Sequence, residues 1–107
     1  ANKSRIKISI IQAIDRKIDL DELANSKCME FGELLDEIEA IVYSGTKINI
    51  SYFINEVIDD DHQEDIFEYF KEADSDSLEE AIQELGSEYS EDEIRLMRIK
   101  FLSELGN

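Results

Sequence analysis

From Lys3 to Ile14 apolar residues recur at Ile6, Ile10, Ile11 and Ile14, the spacing that sets them on one face of an α-helix. Asp19 is placed to cap a short second helix over 20–25, with Glu22 completing a capping box. A turn at Ser26-Lys27-Cys28-Met29 leads to Glu30, which opens a third helix. Its inward face is Phe31, Leu34, Leu35, Ile38, Ile41 and Val42, and Gly45 closes it. A fourth helix follows Asn49, with Ile50, Phe53, Ile54, Val57 and Ile58 on one face, although Ile48-Asn49-Ile50 also reads as a short extended piece.

The pattern continues into the second half. A fifth helix begins in Asp59-Asp60-Asp61 and turns Ile66, Phe67, Tyr69, Phe70 and Ala73 inward. Asp76 with Glu79 is expected to cap a sixth, whose face is Leu78, Ala81, Ile82 and Leu85. Ser90 and Glu93 form a capping box, Tyr89 and Ile94 a hydrophobic staple. A seventh helix then runs over 91–105 on Ile94, Met97, Phe101 and Leu105. Gly45, Gly86 and Gly106 each follow a periodic stretch, where a left-handed residue ends a helix. Proline is absent and only four glycines occur, so little opposes helices. The expected fold is all-α, with a winged-helix-like tri-helical helix-turn-helix unit over 1–48 and an acidic helical unit over 49–107 packed on it. About seven helices then form a single compact body.

Composition adds bounds. A chain of 107 residues can bury roughly 65% of its unfolded surface, and neither its 42% hydrophobic nor its 36% charged content fits outright disorder. No apolar run approaches the ~20 residues that span a bilayer, and no secretory leader is expected. Cys28 is the only cysteine, expected as a small, at least half-buried hydrophobe in a reducing, cytoplasmic setting. A start at Ala1-Asn2 without Met suggests a piece of a longer protein.

Charge changes the picture more. Residues 1–53 hold seven bases against nine acids, whereas residues 54–107 hold four against eighteen, a net of −14 within a total of −16. Over 56–93 the only base is Lys71. The opposite bias sits at the start, where Lys3, Arg5, Lys7, Arg16 and Lys17 meet only Asp15. The third helix, which a DNA-reading helix-turn-helix would lay in the major groove, carries Glu30, Glu33, Asp36, Glu37 and Glu39 and no base. One carboxylate ~7 Å from a phosphate costs roughly 0.6 kcal/mol even in bulk water. Such a surface repels polyanions and attracts basic protein surfaces. Asp59, Asp60, Asp61, Glu64, Asp65 and Glu68 are therefore the candidate docking residues. Lys3, Arg5, Lys7, Arg16 and Lys17 are the candidate phosphate contacts of a weaker, direct nucleic-acid reading.

Catalysis has little to stand on. His62 and Cys28, each the only residue of its type, fall in different helical units, with no Ser/His/Asp or Cys/His arrangement to assemble. His62 reads as an exposed helix-start residue. Gly45-Thr46-Lys47 lacks the upstream glycine and strand of a phosphate loop. EF-hand spacing fails from both Asp59 and Asp74, and no catalytic, cofactor or metal residue is expected. Tyr43, Tyr52 and Tyr69 are the aromatics that a docking face could use.

Three runs together carry a family resemblance: Ile18-Asp19-Leu20-Asp21-Glu22-Leu23-Ala24, then Leu34-Leu35-Asp36-Glu37-Ile38-Glu39-Ala40-Ile41-Val42-Tyr43-Ser44-Gly45, and the late Glu93-Ile94-Arg95-Leu96-Met97-Arg98. With Ile48-Asn49-Ile50 shortly after Gly45 and Ser90 ahead of Glu93, the chain resembles the extreme C-terminal region of bacterial RecQ-type DNA helicases over nearly its whole length. The resemblance implies a parent enzyme that unwinds DNA 3′ to 5′ with ATP in recombination and repair, in the nucleoid-associated cytoplasm. It implies that ATP, Mg and Zn are bound elsewhere in that parent and that none of these residues is catalytic. The expected role is a non-catalytic accessory domain that docks on the rest of the helicase or on a basic repair protein. It meets DNA chiefly through the parent and no membrane at all.

Overall fold

The computed structural model describes residues 2–105, with side chains from Ser4 onward. Among the described residues the chain is all-helical: α1 (Asn2–Asp15), α2 (Leu20–Ser26), α3 (Phe31–Tyr43), α4 (Ser51–Val57), α5 (Asp60–Glu72), α6 (Leu78–Leu85) and α7 (Glu91–Glu104). The helix-turn-helix is α2, the turn and α3. Asp19 caps α2 by accepting the Asp21 and Glu22 N–H groups at 2.9 and 3.2 Å. The return bond from Glu22, the other half of the expected box, is not formed among the described contacts; a carboxylate does close back at α3, where Glu33 accepts the Glu30 N–H at 2.9 Å.

The turn reverses at Cys28, whose φ of 57° is left-handed, while the Met29 N–H returns to the Ala24 carbonyl at 2.9 Å. This conformation leaves the Cys28 side chain exposed, a correction to the expectation of a half-buried thiol. Met29, next along, is the residue that packs on the core.

The core is organised by α7. Ile94, Leu96, Met97, Ile99 and Leu102 are all buried, and at ~100° per residue they lie all around the helix rather than on one stripe. Packing against α3, α4, α5 and α6 buries it, so α7 ties both halves of the chain together. Phe101, with ring centroids 5.9 Å from Phe67 and 5.7 Å from Phe70, fixes α5 on α7. The connection after Gly45 forms no strand: Ser103 Oγ accepts the Ile48 N–H at 3.0 Å and donates to the Ile48 carbonyl at 2.7 Å. A helix hydroxyl thus supplies what a neighbouring strand would have supplied.

Several expected details are corrected. Val57 and Leu105, expected in the core, are exposed, because α4 ends at Val57 and α7 at Glu104. Ser77, not Asp76, caps α6 by accepting the Glu80 N–H at 3.2 Å. Asp76 is held outside the helix by α7, its carbonyl accepting from Arg98 Nε at 2.5 Å. Gly86 has φ −66°, so of the expected left-handed ends only Gly45, at φ 97°, is found; Gly106 lies outside the described residues. The capping box of α7 is present, with Ser90 and Glu93 exchanging bonds at 3.0 and 3.1 Å.

Candidate functional site

The third helix presents Gly32, Asp36, Glu39 and Tyr43 along one line, at i, i+4, i+7 and i+11. Facing them from α7 are Arg95 and Arg98, only 8% and 7% exposed. Arg95 NH2 donates to Asp36 Oδ1 at 2.6 Å and to Glu39 Oε1 at 3.0 Å. Arg98 NH1 reaches Glu39 Oε2 at 3.4 Å, and its NH2 donates to the Tyr43 hydroxyl. The Arg98 guanidinium also lies 5.5 Å from the Tyr43 ring centroid, within cation–π range. Burial pulls the Arg95 pKa down, but its hydrogen bonds to Glu39 and Asp36 outweigh that and raise it above the ordinary arginine value.

The burial of the two carboxylates differs. The Glu39 side chain is 15% exposed and shared by both guanidiniums, whereas Asp36 is 70% exposed. Two of the acids of α3 are therefore partners of an internal clamp. The arginines that neutralise them lie beneath the surface and offer nothing to a phosphate. Outward, α3 still shows Glu33, Asp36, Ala40 and Tyr43. Helices α1, α2 and α7 all pack against α3.

The acidic candidates are brought together. Asp60, Asp61, Glu64, Asp65 and Glu68 are all exposed on α5, within an arc of roughly 140° and a length of roughly 12 Å. Asp59 caps that helix by accepting the His62 N–H at 2.9 Å. Within the stripe, Asp65 accepts the Tyr89 hydroxyl at 2.7 Å and Glu68 pairs with Lys71 at 3.3 Å.

His62 is more engaged than an exposed helix-start residue. Its Nδ1 lies 3.1 Å from Glu93 Oε2, and its ring meets Tyr89 edge-on with centroids 4.8 Å apart. The hydrogen bond to Glu93 raises its pKa above 6.5; partial desolvation opposes this, and the charges of Asp59, Glu93 and Asp65 add to it. From the turn before α7, Tyr89 thus meets α5 through His62 and Asp65, and its bond to Asp65 pushes its own pKa to about 12.

The basic candidates do not form one row. The Lys3 side chain lies outside the described residues. Arg5 and Lys7, two residues apart on α1, point roughly 200° apart. Lys7 Nζ donates to Ser44 Oγ at 2.9 Å, while Arg16 and Lys17, at φ 59°, follow the end of α1. Among the described residues none of Arg5, Lys7, Arg16 and Lys17 lies within 4.0 Å of a carboxylate. Tyr43 is exposed, and Tyr52 and Tyr69 are half-buried. Tyr52 donates its hydroxyl to the Ile18 carbonyl at 2.5 Å, and burial, with Asp19 and Glu56 nearby, raises its pKa to about 12.

Arg95, Arg98 and Glu39 were missed by sequence reasoning as a unit. The available signal was matched spacing: Asp36 and Glu39 are three apart, as are Arg95 and Arg98, the latter inside an apolar run. No group of three or more His, Cys, Asp and Glu side chains among the described residues could hold a metal ion, and no described helix is long and apolar enough to cross a membrane.

No curated protein matches the chain. Residues 4–54, running from α1 through the helix-turn-helix into α4, match the family described as RecQ-1-like, helix-turn-helix domain.

Proposed function

We propose that the chain is a non-catalytic accessory domain of a RecQ-type DNA helicase and acts through protein contacts made by its acidic half. The carrying observation is the clamp. Arg95 and Arg98 hold α7 along α3, and the surface α3 keeps is acidic. In this reading the helix-turn-helix is a structural platform, and the stripe of Asp60, Asp61, Glu64, Asp65 and Glu68, with Asp59 at its head, docks on a basic surface. That surface belongs to the motor part of the parent helicase or to a basic repair protein, in the cytoplasm. In this reading ATP, Mg and Zn bind elsewhere in the parent, and ATP drives its unwinding. The test is a titration of the isolated chain against the parent's motor core lacking this segment. Association that weakens as salt rises supports the reading; none at any accessible concentration ends it.

A second reading is favoured by one observation: among the described residues, Arg5, Lys7, Arg16 and Lys17 have no carboxylate within 4.0 Å. With Lys3, these cations touch nucleic-acid phosphates weakly while the parent supplies the main grip. The expected affinity of the isolated chain for duplex or single-stranded DNA is micromolar or weaker at physiological salt. Nanomolar binding measured by fluorescence anisotropy would show the acids to be no obstacle.

A further inference from the structure

Between the start of α3, the end of α4 and the start of α7 lies an open groove of about 410 Å³. Its floor is apolar, with Phe31 and Phe53 at a centroid distance of 5.9 Å beside Leu96. Val57 forms part of its wall and is 49% exposed, although it continues the apolar face of α4 and no neighbouring element covers it. The polar groups at the mouth are Asp21, Asp92, Glu93 and Ser90, and no base lines it. Glu93 is already bound to His62 and Ser90, but the carboxylates of Asp21 and Asp92 have no cationic partner among the described residues. Both acids stand in first helical turns, where they complement the helix dipoles, and that role leaves their outward charge unanswered.

We infer that this groove receives a basic peptide segment of a partner protein, seating one or two large apolar side chains against Phe31, Phe53 and Val57 and setting Lys or Arg against Asp21 and Asp92. The volume is within the range of about 300–1,000 Å³ typical of sites that bury a ligand. The three carboxylates reject a phosphate or a nucleotide and select a cation. An apolar floor within a charged rim is the arrangement in which a few buried anchors carry most of the binding energy. The inference rests on the protein-contact reading above and gives it a specific anchor away from the α5 stripe.

The probe is a synthetic amidated peptide with a central Leu and Phe three residues apart, flanked by two arginines on each side. A second peptide replaces Leu and Phe with Ser, and a third replaces the arginines with Gln. Titrated into ¹⁵N-labelled protein, the first is expected to shift the amide signals of Phe31, Val57 and Leu96, and each control to bind at least tenfold more weakly. Val57→Arg, at an exposed position, closes the mouth with a like charge and is expected to weaken binding at least tenfold. Glu64→Gln with Glu68→Gln, in the α5 stripe, is expected to weaken it less than Val57→Arg does. Equal binding of the Ser control, unchanged binding by Val57→Arg, or no binding of the first peptide overturns the groove. If Val57→Arg is silent while the α5 variant weakens binding, the acidic-stripe reading stands without it. If the motor core fails to associate while the groove binds its peptide, the reading fails and the groove survives.

Discussion

At the scale of single residues, the molecule's most consequential feature is a carboxylate between two guanidiniums. Among the described residues, Glu39 is the only largely buried acid opposite Arg95 and Arg98, and Arg95 Nε finds no partner there. Removing Glu39 leaves Arg95 only the exposed Asp36 and Arg98 only Tyr43 and Asp76, so the cost should fall at the lower end of the roughly 3–5 kcal/mol typical of breaking a buried ion pair. Glu39→Ala is therefore expected to lower urea-unfolding stability by about that amount, whereas Glu39→Met with Arg95→Met should cost less than the sum of the two single changes. Strict additivity in that double-mutant cycle would mean the pair is not coupled. His62 supports a second expectation. Its pKa is raised in the fold, so the stability it contributes is fully present below its ordinary pKa of about 6.5 and is lost as pH rises through the higher folded value. The melting-temperature gap between the natural chain and His62→Gln should accordingly be larger at pH 5.5 than at pH 8.5. A gap that grows with pH would contradict the hydrogen bond to Glu93.

At the scale of elements, the two glycines that follow helices behave oppositely. Gly45 sits at φ 97° with open space around the place a Cβ would take, so only its backbone conformation resists substitution. Gly45→Ala should cost roughly 1–2 kcal/mol and Gly45→Asn less, because Asn tolerates the left-handed region. At Gly86 the backbone is ordinary, but a Cβ would come within 2.4 Å of the Ile82 carbonyl oxygen. There Asn should be no better than Ala, and chemical denaturation of the four variants reads the contrast directly.

The same comparison shows what was legible in the chain. The all-helical fold, the caps at Asp19 and Ser90 and the left-handed end at Gly45 follow from local rules of spacing and hydrogen bonding, and such rules are written in neighbouring residues. The central place of α7 is not. Its pattern Ile94-Arg95-Leu96-Met97-Arg98-Ile99 reads as one apolar stripe with charges between, because burial of arginine depends on acids some sixty positions away. The acidic stripe on α5 was legible as one helix's periodicity. The groove at Val57, built from four helices, was not.

At the scale of the whole molecule, the quantity that matters is a formal charge of −16 on a body with a radius of gyration of 13.4 Å. Its extents are 37, 25 and 20 Å. In 0.01 M salt the screening length is about 30 Å, longer than two of these axes, so nearly every carboxylate repels every other across the fold. In 0.15 M salt it is about 8 Å, and repulsion shrinks to immediate neighbours. Unfolding spreads the charges apart and is thus favoured most at low salt. If the relief amounts to roughly 1 kcal/mol, the melting temperature should rise by about 4–8 °C between these conditions. Glu64→Gln with Glu72→Gln removes two exposed acids of α5 that have no ion-pair partner among the described residues. That variant should melt higher than the natural chain in 0.01 M salt and respond less to added salt. Glu72 stands in the last turn of α5, where a negative charge also opposes the helix dipole, so it should supply the larger share of the gain. A melting temperature indifferent to salt in both proteins would mean that the acids are spaced widely enough for water alone to screen them. The long-range field would then be too weak to bring a basic partner to the α5 stripe, and binding would depend on contacts made after encounter.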